Sequence, residues 1–172
     1  NVLYTKADII KPNKTVLNFN LKSFAIQGTS TPLKKLEISD IYPIRVGKHA
    51  VTAYNYFDIA GDGKMRYDLF NNTLTIKGVD ITPESITSGE NLTRYGIKSD
   101  IDLIVKPEGN NTINLTGTYN GKNLTEYGIY SEGYLAIISD SPTGKLAINA
   151  QGITDKVVNN YGIYAKGFVS IA

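Results

Sequence analysis

Along residues 95–105, 127–137 and 161–171 small or apolar side chains alternate with polar or aromatic ones. One set of alternate positions reads Ile97, Ser99, Ile101, Leu103 and Val105, then Ile129, Ser131, Gly133, Leu135 and Ile137, then Ile163, Ala165, Gly167, Val169 and Ile171. The intervening positions carry Lys98, Asp100 and Asp102, then Tyr130, Glu132 and Tyr134, then Tyr164, Lys166 and Phe168. A period of two places successive side chains on opposite faces of a strand, so the first set predicts a buried face and the second an outward one. A second strand signal follows in residues 112–116 and again in 145–149. Gly-, Pro- and Asn-rich stretches at 107–111 and 140–144 predict the turns before them. No run has apolar residues at helical spacing between caps; one helical turn over residues 82–86 is the most the pattern allows.

The three segments are copies of one unit. Each opens on Tyr-Gly-Ile, at Tyr95, Tyr127 and Tyr161, with offsets of 32 and 34 residues. Asn91-Leu92-Thr93 and Asn123-Leu124-Thr125 repeat upstream of the first two. Each tyrosine precedes a glycine, which places it at a turn in a structural role. No unit of this size buries its apolar face alone, whereas stacking units along an axis completes a core and piles like residues into ladders. The expected fold is therefore all-β, a right-handed parallel β-helix or β-solenoid with an irregular N-terminal cap. A hairpin array or sandwich is the competing architecture. Residues 1–40 do not fit the repeat and are expected to form the cap or lead-in, with strands at 16–21, 24–26 and 34–38; residues 41–172 hold the solenoid.

Composition narrows the class of function. Sixteen glycines, twelve tyrosines and six prolines suit strands and tight turns. A net charge of +2 with no Lys/Arg cluster gives no nucleic-acid surface. The absence of cysteine excludes disulfides and thiol chemistry, and the single histidine, His49, excludes a multi-histidine metal site. No apolar run is long enough to form a transmembrane helix. The chain begins at Asn1 without Met and ends on a strand-like segment, so signal and anchoring segments are expected to lie outside it.

Residues 46–52, 58–68 and 72–76, followed by the Tyr-Gly-Ile units, carry a resemblance. The order of a V-x-G-x-x-V-T hairpin, a D-I-x-G-x-G-x-x-x-Y-D turn, an N-T-L-T-I strand and Y-G-I-Y-S-E-G coils resembles repeat β-helix domains of secreted and surface proteins of gut-associated Gram-positive bacteria, loosely labelled carbohydrate-binding. It covers about residues 41–172. The chain departs from the pattern at Lys98 and Ile101, where Tyr and Gly are usual, and at Pro43 inside the first strand. The resemblance implies an extracellular or cell-surface location and supplies no ligand residues.

Candidate chemistry sits in four places. Asp58, Asp62 and Asp68 beside Gly61 and Gly63 suggest a calcium loop, but lack the EF-hand order, so a Gly/Asp turn with no metal is expected. Asp100, Asp102, Glu132 and Asp140 could pair as in glycoside hydrolysis, but on a solvated face they read as surface. His49 has no Ser or Asp partner in sequence. The favoured ligand-binding set is Tyr130, Tyr134, Tyr164 and Phe168 with Glu132, because exposed rings meet sugars through flat apolar contact and hydroxyls add hydrogen bonds. These residues point to a non-enzymatic surface or secreted module, without cofactor, that binds a polysaccharide or host glycan or serves adhesion. A structural stalk and a polysaccharide-cleaving β-helix enzyme are the alternatives.

Overall fold

The computed structural model describes residues 41–172, so the strands and the cap expected in residues 1–40 lie outside the described residues. The described chain is all-β, and no helix occurs in it. Two antiparallel hairpins come first. Strands β1 (Ile41–Val46) and β2 (His49–Thr52) form one, and β3 (Met65–Asp68) and β4 (Thr73–Lys77) the other. Gly47 turns the first hairpin at a φ of +54°, and a Cβ there would stand 2.2 Å from the Thr82 carbonyl oxygen, so only glycine fits. Pro43 is accommodated where the β1–β2 register shifts between Ile41 and Arg45, the kind of irregularity that spares a missing amide. Two short strands follow, β5 (Asp80–Ile81) and β6 (Glu84–Ser88). The second occupies much of the stretch read as a helical turn: it pairs antiparallel with the next strand, and that ladder overrides the weak local signal.

The repeat then begins. Its first unit holds β7 (Asn91–Ser99), β8 (Leu103–Glu108) and β9 (Asn110–Thr118). The second holds β10 (Asn123–Ser131), β11 (Leu135–Ile137) and β12 (Lys145–Ile153), and the third β13 (Val158–Ala165) and β14 (Val169–Ile171). Corresponding strands lie side by side, parallel and in register: Tyr95 opposes Tyr127, which opposes Tyr161; Leu103 opposes Leu135, which opposes Val169; Ile113 opposes Ile148. Three separate sheets result, in the orders β13-β10-β7-β1-β2, β14-β11-β8-β4-β3 and β12-β9-β5. The stretch expected to turn at 107–111 turns at Gly109 alone (φ +66°); its flanks belong to β8 and β9.

The Tyr-Gly-Ile motif lies inside a strand rather than at a turn. In β7 the buried positions are Leu92, Arg94 and Gly96 up to the glycine, and Ile97 and Ser99 after it. Gly96 and Ile97 both face inward, so the alternation changes phase there. Glycine is required because space is absent: a Cβ on Gly96 would meet Ile113 Cγ2 at 2.2 Å and the Gly128 carbonyl oxygen at 2.5 Å. On Gly128 it would meet Ile148 Cγ2 at 2.2 Å and the Gly162 oxygen at 2.4 Å. The phase change makes Tyr127 and Tyr130, three residues apart, neighbours on the same outer face.

The buried face follows the sequence pattern in the first two units except at Ile101 and Gly133, which are half-buried in the link between strands. Ile97, Leu103, Val105, Ile129 and Leu135 are fully buried, and Ser99 and Ser131 with them. One core joins these residues to Ile44, Val46, Val51, Leu74 and Ile76 of the hairpins. In the third unit the same positions open to solvent: Val169 is 44% and Ile171 68% exposed, because β13 and β14 are paired on one side only.

Candidate functional site

The outer face of the first sheet carries two rows of rings. Tyr95, Tyr127 and Tyr161 occupy equivalent positions on β7, β10 and β13, and stack with centroids 5.3 and 5.1 Å apart and planes within 10° of parallel. Three residues on, Tyr130 and Tyr164 stack at 5.5 Å, and Lys98 holds the equivalent position in the first unit. The rows interlock edge to face, Tyr127 with Tyr130 at 5.1 Å and Tyr161 with Tyr164 at 5.7 Å. Edge-to-face and offset contacts are the favoured ring geometries, so the set is rigid.

This packing decides what the rings can offer a ligand. Tyr127 has a ring against each face, and Tyr130 is only 9% exposed. The Tyr130 hydroxyl donates to Glu132, which also pairs with Lys166. That hydrogen bond, with burial, pushes the Tyr130 phenol well above its ordinary value of 10.0. Lys166, then Tyr130, holds the Glu132 carboxyl below 4.5. Burial raises Tyr95 and Tyr127, with the carboxylates of Asp100 and Glu132 adding to the effect at Tyr95. Among the expected ligand residues, Tyr130 and Glu132 are thus tied into the framework. Tyr134 and Phe168 lie apart as a tilted pair, 4.3 Å between centroids, with Phe168 70% exposed.

The acidic residues have been brought to bases and amides rather than to each other. Lys98 binds Asp100 at 2.7 Å and Lys106 binds Asp140 at 2.5 Å. Asp102 accepts the Tyr134 amide at 2.8 Å. The aspartates of the Gly/Asp stretch each serve a local turn. Asp58 accepts the amides of Gly61 and Gly63, Asp62 that of Lys64, and Asp68 that of Phe70. Among the described residues no three His, Cys, Asp or Glu side chains converge as metal ligands would. His49 sits half-buried in β2.

One polar centre escapes a period-two reading. Arg94 and Glu126, on neighbouring inward positions of β7 and β10, form a buried ion pair at 2.5 Å. The second Glu126 oxygen accepts the Gly152 amide at 2.7 Å, and the Arg94 guanidinium lies 4.8 Å from the Tyr119 ring centre. Arg94 and Glu126 hold the position before Tyr in successive units, and their opposite charges meet because the units stack.

Comparison with family models, with characterised proteins and with solved structures gives no match.

Proposed function

We propose that this chain is a non-enzymatic extracellular or cell-surface module, built as a right-handed parallel β-helix of the kind its repeats resemble, that presents its tyrosine-bearing face to a polysaccharide or host glycan. The observation that carries the reading is the pair of tyrosine rows, stacked in register on the outer face of the first sheet, together with the separate Tyr134–Phe168 pair, exposed at Phe168. The parallel register at offsets set by the repeat supports the β-helix. The pairing of Asp100, Glu132 and Asp140 with lysines supports binding over hydrolysis, since a general acid and its partner carboxylate must flank one bond.

A glycan array followed by titration of the hits tests the proposal. Loss of binding is expected on Tyr134→Ala with Phe168→Ala, and on Tyr130→Ala with Tyr164→Ala, in variants whose circular dichroism remains that of the parent. Absence of any glycan binding by the folded parent would remove the reading. A stalk is the second reading, favoured by one observation: stacking seals the faces of Tyr127 and so also serves cohesion between units.

A further inference from the structure

The stacking that closes the ring faces leaves the ring edges for contact with a ligand. Among the described residues, Tyr95, Tyr127 and Tyr161 are half-buried or exposed, and Tyr130 is the ladder tyrosine whose hydroxyl is spent on a carboxylate. Stacked rings in one orientation repeat their hydroxyls at the ring spacing, 5.3 and then 5.1 Å. Two residues earlier on the same face stand Thr93, Thr125 and Asn159, opposed in register. These shorter side chains make a polar shelf against a wall of tyrosines. Strand β6 extends both rows at one end, with Ile86 opposite Thr93 and Glu84 opposite Tyr95. The shelf runs across the strands and repeats once per strand.

We infer that the ligand of this face is an extended β-1,4-linked glycan lying along the Thr93–Thr125–Asn159 shelf, one sugar per strand, with its equatorial hydroxyls against the Tyr95–Tyr127–Tyr161 edge. The inference rests on the glycan-binding reading above and adds linkage and direction to it. A β-1,4 chain is straight, and its sugars advance on the order of 5 Å each, the distance that separates neighbouring strands. Alternate sugars of such a chain are turned over, so each strand meets one sugar and the same sugar edge returns at every second strand. An α-1,4 chain curves into a helix and a β-1,3 chain coils, so both fall out of step with the rows after one or two sugars. Hydrogen bonds from fixed phenols, rather than sugar stacking on ring faces, provide the selectivity.

Calorimetric titration of the whole chain with defined oligosaccharides tests this. The probes are cello- and chito-oligosaccharides of two to six sugars, with malto- (α-1,4) and laminari-oligosaccharides (β-1,3) of equal length. Affinity for at least one β-1,4 series is expected to climb with length to about three sugars, one for each of β7, β10 and β13, and then level off. Tyr127→Phe keeps the stack and removes one central hydroxyl; it is expected to weaken that series about three- to ten-fold, the value of one hydrogen bond. Equal binding of the α-1,4 or β-1,3 series, or an unaltered affinity in Tyr127→Phe, overturns the inference while glycan binding itself stands. No binding of any sugar overturns both. Binding of a decaproline peptide without any sugar assigns the rows to an extended peptide and likewise overturns it.

Discussion

A methyl group on Gly128 would stand 2.2 Å from Ile148 and 2.4 Å from the backbone oxygen of Gly162, whereas one on Gly162 meets nothing within 4 Å. The two glycines share a motif and differ in whether another unit packs over them. Gly128→Ala is therefore expected to destabilise the fold by about 1–3 kcal/mol through overpacking, and Gly162→Ala to change it by less than about 0.5 kcal/mol. Urea unfolding of the two variants checks this; equal effects would mean that glycine is there for its backbone freedom instead. Glu126 makes a sharper case. Removing it in Glu126→Ala leaves the buried Arg94 without its counter-charge, at an expected cost of about 3–5 kcal/mol, while Arg94→Met with Glu126→Leu should recover most of that loss. At this scale the sequence was legible for Ile97, Leu103, Ile129 and Leu135, whose apolar alternation leaves one place for them. It was not legible for Arg94 and Glu126, because charge is the usual mark of an outward position and only the partner strand reverses it.

At the scale of elements, the strands were visible as alternating runs and the turn at 140–144 as Gly and Pro. The phase change at Gly96 was not, since a strict period of two has no place for adjacent inward residues. Under a strict period of two Tyr127 and Tyr130 would fall on opposite faces, although their rings are in contact. The ladder also predicts a pH response. Tyr95, Tyr127 and Tyr130 have phenols raised above 10.0 in the folded chain. A group whose pKa is raised by folding contributes its full stability below its unfolded value and loses it as pH climbs toward the folded one. The thermal midpoint is therefore expected to fall once pH passes 10, and tyrosinate absorbance to appear later in the folded chain than in urea. Glu132 acts in the opposite direction: its lowered pKa gives stability above 4.5 that fades as pH falls below it. Glu132→Gln should flatten the acid limb and also soften the alkaline decline, because the Tyr130 phenol is raised chiefly by its bond to that carboxylate; an unaltered acid limb would assign it to other carboxylates.

For the described chain taken whole, pairing is uneven from one end to the other. Strand β7 is flanked by β10 on one side and by β1 and β6 on the other, and β10 lies between β7 and β13. The third unit has neighbours on one side only, and its Val169 and Ile171 are exposed. In stacked repeats stability is close to a sum of unit and interface terms, so protection should follow the number of interfaces. Native-state hydrogen exchange is expected to be slowest in β7 and β10 and fastest in β13 and β14. Uniform protection would indicate a single cooperative block. Repeat spacing announced the stacking, because like residues at offsets of 32 and 34 can be satisfied together by parallel register. The antiparallel flanking of β7 by β1 and β6 had no such announcement: neither segment resembles the strand it covers.

The tyrosine ladder also gives the molecule an optical identity. The chain contains no tryptophan, so its near-ultraviolet spectrum belongs to tyrosine. Three phenols held nearly parallel at 5.1–5.3 Å are close enough for their transitions to couple and for excitation to pass among them. Folding should thus appear as a near-ultraviolet dichroism band and a low emission anisotropy, both lost when the units separate. Any ligand seated against the hydroxyl edge would perturb that band without a label having to be added.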